Sequence, residues 1–448
     1  MPPRREPTRR ISGNGPVRRA MDHVAGGEPA ADGAREPAGR IKPIANPQAP
    51  WVQLRNLQFG VQLFRKMIGR TSPDARDGDL VTVYDRDAVV FGTGMLNRAS
   101  PVALRMLTFG TEKLEEDFIA ARVRAASELR RGLRIMAHSD AYRLVNAEGD
   151  RLPGLIVDCF GSVAVVQIMS LGMFRRREEI VAAVKEVSGV ERVILCADEV
   201  HQRAEAFVLP ARRDAADGET TVIHENNIKF HVDLQQGHKT GFFCDQRENR
   251  RFLWQQCAGR AVLDVCCYTG GFAIGAAKGG AESVVGVDLD EKAIAVARRN
   301  AQLNNISTRT LQWVHADGYA YLRQMKSNGR QYDVVVLDPP KLIADREDFD
   351  DGRKAYFDLN KLGMSVVKPG GLLLTCSCSG LLSQADFLDM LRGAARSSGR
   401  RLQIWRVSGA DGDHPVMTEF PQGWYLKCAW CRVLGGAQGA ADVPDQPG

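Results

Sequence analysis

The stretch Ala261-Val-Leu-Asp-Val-Cys-Cys-Tyr-Thr-Gly-Gly-Phe272 decides the predicted fold of this chain. Apolar and β-branched residues fill 261–265, as in a buried strand, and helical spacing begins after the Gly270-Gly271 pair. A second apolar run, 284–287, follows the helical stretch. The three segments together predict a strand-helix-strand unit with parallel strands, and the glycine pair lets the backbone of the turn approach a ligand closely.

Three apolar runs end in or beside an acidic residue. Asp264 lies inside the first run, Asp288 follows the second, and Asp338 ends the apolar part of Tyr332-Asp-Val-Val-Val-Leu-Asp-Pro-Pro-Lys341. A parallel sheet brings such carboxylates to the crevice at its carboxyl edge, where ligands bind. Asp288 is placed to accept hydrogen bonds from a ribose diol, and Asp264 can hold a cationic ammonium. These features indicate S-adenosylmethionine as the ligand.

A dinucleotide is the first alternative ligand. The NAD and FAD fingerprint G-x-G-x-x-G seats a pyrophosphate on a helix N-terminus, whereas this turn contains Tyr268-Thr-Gly-Gly-Phe272. A carboxylate at Asp264 would also repel a pyrophosphate, so the pattern favours S-adenosylmethionine. A glycine pair that only packs a helix in an unrelated α/β enzyme stays open as the second alternative.

Length and charge limit the class of protein. A chain of 448 residues is expected to hold two or three domains. The sequence has no run of about eighteen apolar residues and no apolar segment near its start, which predicts a cytoplasmic protein without a membrane span. Residues 1–48 hold nine basic and five acidic side chains and so supply +4 of the net charge of +6. This arm either adds non-specific attraction to phosphates or only aids solubility.

Ten cysteines in a cytoplasmic chain are expected to be free thiols. Cys428 and Cys431 have the spacing of zinc ligands, but they fall in a predicted strand, where residues three apart point to opposite faces. No second Cys or His pair stands at ligand spacing, so we expect no metal site.

Composition and periodicity divide the chain into five segments. Residues 1–48 are predicted to be a disordered basic arm and residues 435–448 a disordered tail, because neither can bury enough apolar surface to order itself. Residues 49–112 form a small β domain, in which a hairpin joins 80–84 to 89–91. Residues 113–232 form a central α+β domain. Its first helix, 113–131, has the apolar positions Leu114, Phe118, Ala121, Ala125 and Leu129 at helical spacing.

Residues 233–434 alternate regularly between strand and helix patterns. We predict strands at 261–266, 283–288, 309–315, 332–337, 371–377, 401–407 and 424–433, with helices after the first five. No helix separates the last two strands, so the seventh is expected to insert antiparallel. The predicted fold is therefore α/β, a Rossmann-like seven-stranded sheet of the class I methyltransferase type.

Two resemblances extend this interpretation. The small β domain carries Gly78-Asp79, Gly92-Thr-Gly94, Asn97, Ser100 and Arg105, and it resembles a PUA domain, a compact RNA-binding barrel. The segments 236–250, 338–341, 375–380 (Thr-Cys-Ser-Cys-Ser-Gly) and 413–416 (Asp-His-Pro-Val) resemble the bacterial 23S ribosomal RNA cytosine-C5 methyltransferase family over residues 50–434. The resemblance implies S-adenosylmethionine as cofactor and 23S ribosomal RNA or a large-subunit precursor as partner. It leaves a homodimer open.

Methylation at cytosine C5 needs a nucleophile on the enzyme. C5 becomes reactive only after a group adds to C6, and a thiolate suits that task. Cys376 and Cys378 both stand near the end of the fifth predicted strand. The resemblance selects Cys378, whereas a related branch with its nucleophile in Thr-Cys-Ser would select Cys376. Two small buried thiols without a catalytic role remain the structural alternative.

The remaining catalytic residues are assigned by position. We expect Asp338 to bind the N3/N4 edge of a flipped cytosine and Lys341 either to lower the pKa of the thiol, to meet a phosphate or to be a solvated loop residue. The base that removes the C5 proton is unassigned, with Cys376, a water and His414 as candidates.

Ten residues are predicted to lie at the cofactor pocket. Position places Asp264, Tyr268, Thr269 and Gly270 around its methionine part, Asp288 on the ribose and Asp317 near the adenine amine. By resemblance, Phe243, Asp245, Gln246 and Arg247 cap the same pocket. Arg247 and Arg250 have a second interpretation as a solvated helix face.

Two other functions fit parts of the pattern. A related RNA methyltransferase branch modifies guanine N7, which needs no cysteine nucleophile. An RNA-binding or ribosome assembly factor with a vestigial cofactor site is the other, although the acids at 264, 288, 317 and 338 argue against it.

Overall fold

The computed structural model describes residues 41–56, 59–210, 220–234 and 241–435. Most of the predicted arm (1–40), the predicted tail from 436 and residues 236–240 of the 236–250 segment lie outside the described residues.

The small β domain is built on one six-stranded sheet. Its strands are β1 (Trp51–Leu54), β2 (Gln62–Phe64), β3 (Ile68–Thr71), β4 (Leu80–Tyr84), β5 (Val90–Leu96) and β6 (Val102–Phe109), in the order β2-β6-β5-β4-β1-β3. β4 and β5 pair antiparallel, which confirms the predicted hairpin. Alternate residues such as Val81 and Val83 are buried in the core of this domain, as the two-residue period of a strand requires.

The next part of the chain contains a four-stranded sheet and a separate hairpin. In chain order its elements are α1 (Phe118–Gly132), β7 (Ala141–Asn146), β8 (Leu155–Phe160), β9 (Val163–Ile168), α2 (Leu171–Arg175), α3 (Arg177–Ser188), β10 (Arg192–Cys196), α4 (Glu199–Glu205), β11 (Thr220–Glu225) and β12 (Ile228–Asp233). The sheet order is β10-β9-β8-β7, and β11 pairs with β12. β9 is buried along its whole length.

The structure of helix α1 differs from the prediction of its buried face. The helix begins at Phe118, and Leu129 on the predicted apolar face is 41% exposed. The buried face carries Arg122 and Arg130 instead. Arg130 donates to both carboxylate oxygens of Asp150 at 2.6 and 2.7 Å, so its charge is neutralised inside the protein. Arginine is usually a surface residue, which is why hydrophobic periodicity selected the wrong face.

Polar residues of the small β domain join it to the neighbouring domain. Asn97, Ser100 and Arg105 all donate hydrogen bonds to the side chain of Glu205, at 2.8, 2.6 and 2.8 Å. Glu205 lies at the end of α4 and is 2% exposed. All three side chains therefore help to join the two domains.

The third region is a seven-stranded sheet flanked by helices. Its elements are α5 (Arg247–Trp254), β13 (Ala261–Val265), α6 (Gly271–Lys278), β14 (Ser283–Asp288), α7 (Glu291–Leu303), β15 (Leu311–His315), α8 (Gly318–Ser327), β16 (Tyr332–Leu337), α9 (Phe349–Ser365), β17 (Val367–Ser377), α10 (Gln384–Ser397), β18 (Arg401–Ser408) and β19 (Lys427–Leu434). The order is β15-β14-β13-β16-β17-β19-β18. β19 pairs antiparallel with both β17 and β18, which confirms the predicted insertion.

This sheet order positions the site. The strand order reverses between β13 and β16, where neighbouring crossovers diverge and open a crevice at the carboxyl ends of the strands. Cys428 and Cys431, three apart on β19, pack in the apolar cores on opposite faces of the sheet. Across the described ranges, the helices include none long and apolar enough to cross a bilayer.

Candidate active site

The turn after β13 is held in an unusual backbone conformation. Cys266, Tyr268 and Gly270 have φ angles of 62°, 49° and 89°, in the left-handed region. The Tyr268 amide donates to Asp288 at 2.7 Å, and the Asp290 amide donates to the other Asp288 oxygen at 2.9 Å. Asp288 therefore ties the end of β14 to the turn, and its carboxylate lies where the sequence predicted.

The glycine pair of this turn packs against side chains. A Cβ atom at Gly270 would lie 2.4 Å from the Trp313 ring, and one at Gly271 would lie 2.8 Å from Arg250 Cδ. The backbone at Gly270 and Gly271 thus approaches protein side chains closely. These contacts agree with a packing role for the glycine pair, which the sequence left open. Trp313 was missed because a lone tryptophan in a strand reads as a core residue.

Asp264 is a fully buried carboxylate with one open acceptor. Its Oδ2 accepts from the Ala273 amide at 2.9 Å, whereas Oδ1 has no hydrogen-bond partner among the described residues. Burial raises the pKa of Asp264 well above its usual range, and the Asp338 and Asp288 carboxylates raise it further. A cation beside Oδ1 would stabilise the ionised carboxylate, so Asp264 is suited to bind the ammonium of S-adenosylmethionine.

A second open acceptor belongs to Asp245. This side chain is 7% exposed, and its Oδ2 accepts from the Tyr425 hydroxyl at 2.6 Å while Oδ1 lacks a partner among the described residues. Gln246, the next residue, donates to Asp338 Oδ1 at 3.1 Å. The structure therefore brings Asp245, Gln246 and Asp338 together, although 92 residues separate the last two in sequence.

Asp338 has an altered acidity. Burial raises the pKa of Asp338 to about 7, and the neighbouring Asp245 carboxylate raises it as well. Near neutral pH this group can donate or accept a proton with little driving force in either direction, which suits acid–base chemistry.

The two cysteines near the end of β17 lie in different surroundings. Cys376 is fully buried and stands opposite Cys428 in the β17–β19 register. Burial raises the pKa of Cys376 well above its usual range, and a hydrogen bond with Cys428 adds to this effect. Cys378 follows the end of β17 and is only partly buried. The partly exposed thiol is the one a substrate could reach.

Backbone and hydroxyl contacts fix the loop of Cys378. The Ser379 hydroxyl accepts from the Ile343 amide at 3.1 Å and lies 3.0 Å from the Tyr356 hydroxyl. These bonds join the Cys378 loop to the segment that follows Asp338-Pro-Pro-Lys341. Lys341 itself is exposed, and none of the described carboxylates forms an ion pair with it.

The other predicted cofactor residues surround the same turn. The Phe243 and Tyr268 rings meet edge to face with centroids 5.4 Å apart. The Thr269 carbonyl accepts from Asn300 at 3.0 Å. Asp317 is exposed and caps helix α8 by accepting from the Ala320 amide at 2.8 Å.

A buried ionic network lies beneath the site. Arg250 donates to both oxygens of Glu225 at 2.7 and 2.6 Å, and Arg247 pairs with Asp411 and Asp413. Both arginines are at least 94% buried, so the interpretation as a solvated helix face is wrong. His414 Nδ1 lies 2.8 Å from Asp413 Oδ1. The sequence predicted neither Glu225 nor Asp411, because an isolated acid far along the chain carries no signal of its partner.

Family models match two parts of the chain. A model described as S-adenosylmethionine-dependent methyltransferase matches residues 212–407, and a PUA-like domain model matches residues 55–109. S-adenosylmethionine is therefore the cofactor.

Curated relatives match most of the chain. Proteins named ribosomal RNA large subunit methyltransferase I are 38% identical in Aeromonas hydrophila, over 82% of this chain and 93% of the relative, and 38% identical in Shewanella amazonensis, over 80% and 91%. The relative in Pseudoalteromonas atlantica is 34% identical over 83% of this chain and 95% of its own.

Solved structures agree with the fold. The proposed methyltransferase SMU.776, solved in complex with SAH, matches with a TM-score of 0.70 and 23% identity, over 83% of this chain and 95% of the other. A proposed S-adenosylmethionine-dependent methyltransferase from Streptococcus mutans matches with a TM-score of 0.69 and 22% identity, over 83% and 96%. The class I methyltransferase fold predicted from the strand pattern is thus confirmed.

Proposed function

The chain belongs to the ribosomal RNA large subunit methyltransferase I family, and we propose that it forms 5-methylcytosine in 23S ribosomal RNA. It is an S-adenosylmethionine-dependent ribosomal RNA methyltransferase. The cytosine-C5 specificity rests on one observation, the partly buried Cys378, which follows β17 next to β16, the strand that precedes Asp338. The proposed partner is 23S ribosomal RNA or a precursor of the large ribosomal subunit, in the cytoplasm.

The cofactor residues act by holding and orienting. The open oxygens of Asp264 and Asp245 are suited to the cationic methionine end, and Asp288 is suited to the ribose. Phe243, Tyr268, Thr269, Gly270, Gln246 and Asp317 complete the proposed pocket. When bound, S-adenosylmethionine supplies an electrophilic methyl group.

The protein residues act on the cytosine. In the proposed mechanism the Cys378 thiolate adds to C6, and the electron pair of the C5–C6 double bond then makes C5 nucleophilic. Asp338 binds the N3/N4 edge, and its pKa of about 7 allows it to share a proton with N3 during the addition. Once C5 carries the methyl group, loss of the C5 proton to a base would expel the thiolate from C6 and restore the aromatic ring. Lys341 is proposed as a contact to the RNA phosphate, since its exposed ammonium is compatible with that role.

The structure favours Cys378 over Cys376 for the addition. Cys376 is fully buried, and its thiolate would lie close to the Asp338 carboxylate, which raises its pKa further. A cytosine ring could reach this sulfur only if the packing over it opened, because Cys376 lies in the apolar core on one face of the sheet.

A trapping experiment tests the proposal. Ribosomal RNA containing 5-fluorocytosine is incubated with the protein and S-adenosylmethionine, and the covalent complex is measured on denaturing gels. Fluorine at C5 cannot leave as a cation, so the adduct persists. We expect an adduct with the wild-type protein and with Cys376→Ser, and none with Cys378→Ala.

Other outcomes assign the alternatives. Methylation that survives in Cys378→Ala and Cys376→Ser alike would indicate guanine N7, which needs no thiolate. An adduct lost only in Cys376→Ser would make Cys376 the nucleophile.

A further inference from the structure

Lys427 is a buried cation at the first position of β19. It is 5% exposed, and its Nζ donates to the Ser379 carbonyl at 2.6 Å and to the Tyr425 carbonyl at 2.9 Å. Among the described residues, no carboxylate lies within 4.0 Å of this ammonium. A buried charge without a counter-ion is unfavourable, so an anion is expected to lie nearby at some stage.

The contacts of Lys427 place its ammonium beside the segment that contains Cys378. Lys427 pairs with Ser377 in the β17–β19 register and bonds the carbonyl of Ser379, so its contacts bracket Cys378 on both sides. An ammonium has three N–H donors, and two of those on Lys427 are used by carbonyls. Burial lowers the pKa of Lys427 to about 8, and its interactions with the Cys378 sulfur, first, and with the Cys428 sulfur oppose this decrease.

The surroundings of Cys376 are different. Its described neighbours are Cys428, Gln246 and the Asp338 carboxylate, so the acidic neighbour disfavours a thiolate there. A titratable group that interacts with Cys378 is the Tyr356 hydroxyl, which is bonded to Ser379 and is uncharged at neutral pH because burial raises its pKa.

We propose that the Lys427 ammonium stabilises the Cys378 thiolate and so directs ionisation to Cys378 rather than to Cys376. The Cys378 S–H bond breaks and its proton passes to water, while Lys427 keeps its three protons and its charge. Lys427 acts through Cys378 and is therefore a positioning residue. The inference rests on the proposed function, in which the Cys378 thiolate is the nucleophile. The reactivity of this thiol can nevertheless be measured without RNA.

The test follows alkylation of Cys378 by iodoacetamide between pH 5 and pH 10 in the full chain, with the Cys378 and Cys376 peptides quantified by mass spectrometry. Since a cation close to an ionisable group typically shifts its pKa by one to three units, we expect Lys427→Met to slow alkylation of Cys378 at pH 7 roughly tenfold or more. The midpoint of the pH profile is expected to move upward. Lys427→Arg keeps the charge and is expected to restore most of the rate.

Two controls make the result specific. Lys368→Met removes a lysine that pairs with Asp333 at the other end of β17, and it is expected to leave the Cys378 profile unchanged. Thermal unfolding of each variant shows that it is folded before alkylation is measured.

The proposal is overturned if folded Lys427→Met alkylates like the wild type, or if Lys341→Met changes the profile instead. If alkylation of Cys378 depends on Lys427 as expected but no adduct forms with 5-fluorocytosine RNA, only the cytosine-C5 chemistry is rejected.

Discussion

At the scale of single residues, Asp338 combines two properties that can be measured separately. Its carboxylate is placed to bind the target base, and burial together with Asp245 raises its pKa to about 7. We expect Asp338→Asn to lower the methylation rate by at least about 100-fold, a typical loss for a general acid–base group. Calorimetry is expected to show S-adenosylmethionine binding close to that of the wild type. Near-normal turnover in this variant would reject the assignment.

The same substitution is expected to stabilise the protein at alkaline pH. Because the pKa of Asp338 is raised on folding, the folded wild type binds the proton more tightly, and stability is lost as pH rises from about 4 to about 7. Asparagine does not titrate, so the stability advantage of Asp338→Asn should grow by about 2 kcal/mol between pH 5 and pH 8. Urea unfolding at the two pH values measures this difference. An advantage that stays constant with pH would contradict the raised pKa.

Residue types and spacing predicted the acids of the site but not their partners. Asp264 lies within an apolar run while Asp288 and Asp338 come at the end of one, and the parallel strands bring all three toward one edge of the sheet. Tyr425 and Lys427 come from the last part of the chain, and a single tyrosine or lysine carries no sign that it will be buried. Such partners follow only from the order of the strands in space.

At the scale of elements, helix α6 depends on the conformation of the residue before it. Gly270 has φ of 89°, and a Cβ atom there would lie 2.4 Å from Trp313. We expect Gly270→Ala to lower the free energy of unfolding by about 2 to 4 kcal/mol, because backbone strain and overpacking add together. Weaker S-adenosylmethionine binding is expected with it.

Gly329→Ala is the matched control for this prediction. Gly329 has φ of 66° with no atom within 4 Å of an added Cβ, so the strain of the left-handed backbone acts alone there. We expect a loss of about 1 kcal/mol in urea unfolding. Equal losses in the two variants would show that the Trp313 contact is unimportant.

Element types were predictable and helix faces were not. The strands of the large sheet start and end within a few residues of their predicted limits, because buried parallel strands are long apolar runs. β17 begins four residues earlier than predicted, at Val367, since Pro369 and the glycines after it indicated a loop. The face of α1 was wrong because two of its arginines are buried in ion pairs or backbone contacts.

At the scale of the whole molecule, buried charges join the central domain to the methyltransferase domain. Asp413 accepts from Arg247 at 2.8 Å and from the Arg143 amide at 2.9 Å, while Arg130 donates to the Asp413 carbonyl at 2.7 Å. Burial disfavours the ionised form, but the hydrogen bond with His414 and the charge of Arg247 hold the pKa of Asp413 well below its usual range. The family segment 413–416 thus contributes to the joint between domains.

Removing this charge is expected to weaken the joint. Asp413→Asn leaves Arg247 partly uncompensated, and we expect a loss of about 3 kcal/mol at pH 7 in urea unfolding. Because the pKa of Asp413 is depressed, its contribution is present above about pH 4 and fades as the pH falls further, so the gap between variant and wild type should narrow in acid.

An exposed carboxylate provides the control. Asp389 pairs with Arg392 on the surface, and Asp389→Asn should change stability by less than about 1 kcal/mol. A similar effect from both substitutions would show that the buried network does not hold the domains together. Sequence patterns identify domains but not such joints, because the partners of Asp413 are far away in the chain, Arg143 by 270 residues and Arg247 by 166.

The insertion of β19 between β17 and β18 affects the order in which the site is completed. During synthesis, the thiol of Cys378 leaves the ribosome before Lys427, the residue that begins the inserted strand. Until that strand is in place, β17 has an open edge and its cysteines lack the lysine beside them. A nascent chain would therefore carry a comparatively inert sulfur, and reactivity toward pyrimidines would arise only when the sheet closes.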